Sequence, residues 1–366
     1  MEDIIKQAKT MEETDRKCPN CGATMDYSPE SGGLYCPYCE YREEIPLQGE
    51  DGEEAAQELS FKDAELRGNC DWGAEKKTVI CKACGAESVY DALQISNECP
   101  YCGSNQVTEA KGVNTLAPNG VCPFLISDKQ AGANFGKWIK RQLFCPSKAK
   151  KSARPDSFKG VYLPYWTFDS QTFSHYTAQY GKDRTQTNKE GDTVTVTDWY
   201  RTSGDYSRFF NDELVAASSR HDKNMLQRIE PYRTEENKAY RPEYVAGFIS
   251  ERYSVGLDQG WENAKVSMKR KLRSHIESHI KRVNHADKVS NLNFSTIFSG
   301  VTYKYLLLPL WLSSFRYKDK TYEFLVNGQT GKVGGKIPIS PLRVAIALLL
   351  GIGFVALLIW LFSNGN

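Results

Sequence analysis

A chain of 366 residues with 40% hydrophobic and 25% charged side chains has material for one substantial folded body plus smaller modules. Its net charge of +2 hides a polarity: residues 1–110 carry 10 Lys+Arg against 23 Asp+Glu, residues 111–366 carry 37 against 22, and the acidic front argues against a polyanion-binding N-terminus. Eleven cysteines could suit a secreted disulfide framework, but the polar opening "MEDIIKQAKTMEETDRK" excludes an apolar signal core, so the thiols are expected in a reducing cytosol.

In chain order, Cys18-x2-Cys21 is followed after 14 residues by Cys36-x2-Cys39, and Cys81-x2-Cys84 after 14 residues by Cys99-x2-Cys102. Zinc in a structural site takes four thiolates in a tetrahedron, and each Cys-x-x-Cys knuckle supplies two from one tight turn. The spacing therefore predicts a zinc ribbon over 14–45 and a second over 67–110, each with one structural Zn2+. Gly22, Gly85 and Gly103 follow their knuckles, where the chain needs positive φ; Glu40 stands in the equivalent place after Cys39. Two knuckles read Cys-Pro-Tyr-Cys, a redox dithiol motif, but such a dithiol is a solitary pair at a helix N-terminus, and here every pair has a partner pair. Cys70, Cys122 and Cys145 are left over as ordinary or packed thiols. Residues 46–66, acidic between the modules, read as a solvated linker or short exposed helix.

The body is expected over 111–340. Ser127-Asp128 starts a helix over about 128–144 with Phe135, Trp138, Ile139 and Leu143 at helical spacing, and "SKAKKSARP" reads as a loop. "VYLPYWTFDS" and "LLLPLWLSSF" form a pseudo-repeat (160–182 and 304–335). Alternation in "TVTVTDWYRT" and "KTYEFLV", with the Asn327-Gly328 turn signal, predicts antiparallel strands. Trp261, Ala264, Met268, Leu272, Ile276 and Ile280 predict a long amphipathic helix with a basic outer face across 261–288.

"NGQTGKVGGK" lacks the glycine spacing and the Ser/Thr of a phosphate loop and reads as a hairpin turn. "HIESH" lacks the glutamate of a zinc protease directly after His275, so His275 and His279 read as part of a solvated face. No catalytic or cofactor-binding residue is nominated and no small-molecule substrate is expected. Residues 343–362 contain a 19-residue apolar run, Val344 to Phe362, about 28 Å as a helix and long enough for a bilayer core of roughly 30 Å. Lys332, Lys336 and Arg343 precede it, so the reading is a single-pass tail anchor in the cell membrane with the body cytoplasmic.

The "CPNCG" and "CPYC" knuckles, "YLPYWTF", "LLPLWL", "NGQTGKVGG" and the terminal span together resemble a family of bacterial membrane proteins with transcription-factor-IIB-type zinc ribbons, often labelled replication-restart-helicase-like. The resemblance implies membrane anchors for cytosolic partners, with SPFH (flotillin-like) and phage-shock-type membrane proteins as associates. The helicase label does not carry over, because no nucleotide-binding loop or acid box is present. The expectation is thus an α+β protein: two zinc ribbons, a strand-rich antiparallel body with an internal pseudo-repeat, and one transmembrane helix. Its expected function is a non-enzymatic, zinc-binding membrane adaptor that recruits partner proteins. The alternative is a membrane-tethered nucleic-acid-binding protein using Lys269, Arg270, Lys271 and Arg273; a thiol oxidoreductase is a third reading.

Overall fold

The computed structural model describes residues 17–45, 55–62, 76–81, 87–91, 107–109, 116–153, 155, 158–187 and 191–364. Its strands are β1 (Asp26–Ser28), β2 (Gly33–Tyr35), β3 (Arg42–Glu43), β4 (Leu59–Ser60), β5 (Lys76–Cys81), β6 (Glu87–Asp91), β7 (Val107–Glu109) and β8 (Gly120–Val121). They continue with β9 (Lys159–Thr187), β10 (Thr193–Ala216), β11 (Lys238–Ala239), β12 (Ile249–Glu251), β13 (Lys288–Tyr317), β14 (Lys320–Asn327) and β15 (Val333–Gly335). The helices are α1 (Asp128–Arg141), α2 (Ser147–Ser152), α3 (Lys223–Ile229), α4 (Leu257–Asn284) and α5 (Pro341–Asn364).

Three long antiparallel strands form the frame, in the order β10-β9-β13. Their sequence changes character along their length, and burial follows it. Val161 to Ser170 of β9 and Tyr303 to Trp311 of β13 are continuously buried, the pattern of strands covered on both faces. Beyond them, β9 alternates between exposed Gln171, Phe173, His175 and Thr177 and buried Thr172, Ser174, Tyr176 and Ala178, the pattern of a sheet covered on one face only. The cover is α4, which buries Gly260, Ala264, Met268, Leu272, Ile276 and Ile280. It approaches closely at Gly260, where an added Cβ would lie 2.6 Å from Trp166 Cδ1. Trp166 in turn donates from Nε1 to the Val255 carbonyl at 2.9 Å, just ahead of the helix. On the opposite face of the doubly covered part, Met225, Leu226 and Ile229 of α3 pack with Val161, Leu163, Tyr165, Leu306 and Leu308.

The two stretches of the pseudo-repeat are neighbouring antiparallel strands: Pro164 faces Leu307, Tyr162 faces Pro309 and Trp166 faces Tyr305. The sheet is not wholly antiparallel, since β12 pairs with β9 and β8 with β13 in parallel.

Several sequence-based boundaries change. α1 starts where expected, with Ser127 and Gln130 forming a capping box, but ends at Arg141 rather than 144, leaving Leu143 exposed instead of in the core. "SKAKKSARP" is not all loop, because Ser147–Ser152 is α2. Within the supposed solvated linker 46–66, residues 55–62 pack on the body. There Leu59 and Ser60 pair with Tyr303 and Thr302, Ala56 N–H donates to Asn237 Oδ1 at 2.7 Å, and the Phe61 ring lies 5.9 Å from that of Trp261. Phe61 supplies the apolar anchor that the acidic composition of the segment conceals. The second ribbon segment is joined to the body too: β6 pairs with both β5 and β12. The Asn327-Gly328 turn is as read, with Asn327 Oδ1 accepting from the Gln329 and Thr330 N–H groups at 2.8 and 2.9 Å.

Candidate metal centre

Cys18 and Cys36 each open a tight knuckle. Gly22 N–H donates to the Cys18 carbonyl at 2.8 Å and Glu40 N–H to the Cys36 carbonyl at 3.0 Å, so both knuckles close the same way. Both closing residues have positive φ, 74° at Gly22 and 62° at Glu40. Glu40, the departure noted in the sequence, is therefore held in the left-handed region by its knuckle despite its Cβ.

The β1-β2-β3 hairpin sheet brings the knuckles together, and the four sulfurs of Cys18, Cys21, Cys36 and Cys39 lie within 4.8 Å of one another. Cys18 and Cys39 Sγ are 3.3 Å apart, Cys21 and Cys36 Sγ 3.5 Å. A disulfide would need about 2.05 Å, whereas a tetrahedron with Zn–S bonds of roughly 2.3 Å gives about 3.8 Å between sulfurs. These two pairs are thus unbonded and slightly inside the spacing that zinc sets. Four thiolate donors fit Zn2+ as a closed structural site with no open coordination position.

The thiols do not ionise alike. At Cys36 burial opposes ionisation but is outweighed by the backbone N–H groups of Cys39 and Tyr38 and the neighbouring thiols, which hold it down to about 7. At Cys21 the Ala23 N–H pulls downward, yet the other three sulfurs and burial push it up to about 12. A bound dication favours the thiolate form of each ligand, so metal binding at such a site releases protons. Of the second predicted set, Cys81 is buried; Cys84, Cys99 and Cys102, like Cys70, lie outside the described residues. Cys122 and Cys145 are buried thiols, each pushed up first of all by burial.

The ribbon is seated on the body. Tyr27 is buried, its N–H donates to the Ala246 carbonyl at 3.1 Å and its hydroxyl to the Phe124 carbonyl at 3.4 Å. Its ring meets Tyr244 edge-on at 6.0 Å.

Two clusters of charge arise from tertiary structure and have no local signature in the sequence. Glu58, Asp169 and Asp212 converge, and Asp212 sits at a β-bulge with φ of 50°. Between Glu58 and Asp212 lies the buried Lys304 ammonium, 2.6 Å from Asp212 Oδ1 and in contact with Glu58. Burial lowers the Lys304 pKa but its two carboxylate partners outweigh that and raise it, so the lysine is the cation this cluster holds. Glu251, fully buried, accepts from Ser218 Oγ at 2.6 Å and lies 3.1 Å from Arg220 Nε and 3.3 Å from His221 Nε2. The serine proton points to the carboxylate and not to the imidazole, so this trio is a satisfied buried acid and not an activated nucleophile.

The histidines of "HIESH" are half-buried on α4, with His279 set against the Tyr206 and Tyr176 rings; the expected solvated setting is corrected by this packing. A 780 Å³ groove between α3, α4 and the end of β10 mixes Asp212, Glu213 and Glu230 with Lys223, Arg270 and Lys271, and Lys271 donates to Glu213 at 2.7 Å. Finally, α5 is one apolar helix, with the window Pro341–Leu358 at a mean hydropathy of 2.3 and none of it buried against the protein.

A protein of Bacillus subtilis (strain 168) described as "Uncharacterized protein YdjG" is 32% identical to this chain over 331 residues, which is 90% of this chain and 91% of that one. No protein-family model matches the chain, and no solved structure does.

Proposed function

The chain belongs to the family of Bacillus subtilis YdjG, and we propose that it is a non-enzymatic, zinc-binding adaptor fixed in the cell membrane by α5, which recruits partner proteins to the inner membrane face. The observation that carries the reading is the closed four-sulfur site of Cys18, Cys21, Cys36 and Cys39 on a ribbon seated through Tyr27 on the body. A closed site folds a surface and leaves no coordination position for a substrate. In the same reading Cys81, Cys84, Cys99 and Cys102 hold a second Zn2+, and the cytoplasmic side follows from Lys332, Lys336 and Arg343 ahead of the span. Partners of the SPFH or phage-shock type are those the sequence resemblance implies.

The test is affinity capture of the full chain from native membranes, beside a Cys18→Ser/Cys36→Ser variant, with zinc counted by elemental analysis. Two zinc atoms per chain and partners lost with the first site support the adaptor. Partners retained equally by the zinc-deficient variant remove the ribbon from the mechanism. The exposed cations of α4, Lys269 and Arg270 among them, favour membrane-tethered nucleic-acid binding as a second reading. Salt-dependent capture of DNA or RNA, lost when Lys269 and Arg270 are neutralised, would select it.

A further inference from the structure

Leu143 is the residue whose helical spacing assigns it to the core and whose position denies it. It is 78% exposed, and the adjacent Phe144 is 42% exposed. Chance exposure of a loop tip does not describe this pair, because their backbone is tied to the first turn of α5. Arg343 donates to the carbonyls of Leu143 at 2.9 Å and Cys145 at 2.8 Å and to the Ser147 hydroxyl, while Ser340 N–H donates to the Phe144 carbonyl at 2.9 Å. Ile339 and Leu342, flanking Ser340 and Pro341, are 65% and 70% exposed. Four bare apolar side chains therefore ring the point where the apolar helix begins.

Around them are cations. Lys140 and Arg141 end α1, and Lys148 and Lys151 stand on α2, all exposed. Beside them a 490 Å³ groove, lined by Tyr317, Lys318, Lys320 and Tyr322 with Asp319 as the one acid of its lining, runs to Ile339 and Pro341. Apolar tips within a basic collar are the pattern of a surface lying in the headgroup boundary of an anionic leaflet, with alkyl groups below and ammonium groups at phosphate level. Arg343 fixes the collar at the depth where α5 would enter.

We propose that the α1–α2 turn and the Ile339–Arg343 entry form a membrane-docking foot, in which Leu143, Phe144, Ile339 and Leu342 enter the leaflet and the surrounding lysines select anionic phospholipid. The foot rests on the reading of α5 as the span. It makes the body a fixed mount on the membrane and not a load on a free tether.

The full chain is reconstituted in vesicles of equal phosphatidylcholine and phosphatidylglycerol, with a diazirine amino acid replacing Leu143, Phe354 in α5 or the exposed Ile297 of β13. After illumination, lipid adducts are identified by mass spectrometry. Lipid at 143 and 354 but not 297, with phosphatidylglycerol exceeding phosphatidylcholine about fivefold at 143, is the expected result. A Lys148→Gln/Lys151→Gln variant brings that ratio close to one. Adducts at 354 without any at 143, or equal ratios of the two lipids at 143, overturn the foot while the span stands. Adducts at 143 without 354 overturn the span, and with it the foot as the place where α5 enters the leaflet, and lipid at neither overturns both.

Discussion

Glu40 and Gly22 do the same backbone work with unequal ease. A left-handed residue with a Cβ carries about 1 kcal/mol of strain that glycine does not. Glu40→Gly is therefore expected to stabilise the ribbon by about 1 kcal/mol, seen as slower zinc loss to a chelator; faster loss would mean that the Glu40 side chain contributes more than its φ costs. Glu230 carries a different burden. Burial is the first cause raising its pKa, with Glu213 adding and Lys271 and Lys332 opposing. A carboxyl whose folded pKa is raised contributes stability below its unfolded pKa and loses that contribution as pH rises through the folded value. As pH rises through the folded value the buried carboxyl thus becomes a desolvation cost, and Glu230→Gln should raise the melting temperature on the alkaline side of it. The gain should disappear near pH ~4, where the carboxyl of the unfolded chain is itself largely protonated. An unchanged difference at both pH values would contradict this assignment.

Among the elements, the ribbon joins the body through β1, and Tyr27 is the contact that can be removed without touching a sulfur. Tyr27→Ala deletes a buried ring, a loss of roughly 3 kcal/mol, and should undock the ribbon while leaving its zinc in place. Limited trypsin digestion reads this as faster cleavage around Lys17 and Arg42 at unchanged zinc content; loss of zinc would show that docking and metal binding are one event. The α4–sheet pair was more openly written. Ala264, Met268, Leu272, Ile276 and Ile280, at steps of four, mark its buried face as the period read it, while Gly260 is buried where Trp261 was read and Trp261 is half-buried. The end of α1 was not, because Leu143 fits the period of that helix yet lies past its final turn, and only the contacts of Arg343 account for its position.

For the whole molecule, a chain ending after Ser340 should leave the membrane pellet for the soluble fraction with its zinc retained, since no residue of Pro341–Leu358 is buried and the tie of α5 to the body described above runs through Arg343. Retention of that shortened chain on membranes after a salt wash would assign more of the anchorage to the foot or to a partner. The sequence by itself determined the features whose physics is local: the knuckles of Cys18 to Cys39, the turn at Asn327, the period of α4, the apolar length of α5. The runs around Pro164 and Pro309 were legible as a pseudo-repeat, and the structure shows them buried on both faces of β9 and β13. The tertiary structure alone decided that those two runs are each other's partners, that Phe61 draws an acidic segment onto the body, and that β6 continues the body sheet through β12. It also decided that Lys304 fills the acidic cluster of Glu58 and Asp212. These are pairings between residues tens to hundreds of positions apart, chosen by which buried faces and charges can satisfy one another, and no local period or spacing encodes that choice.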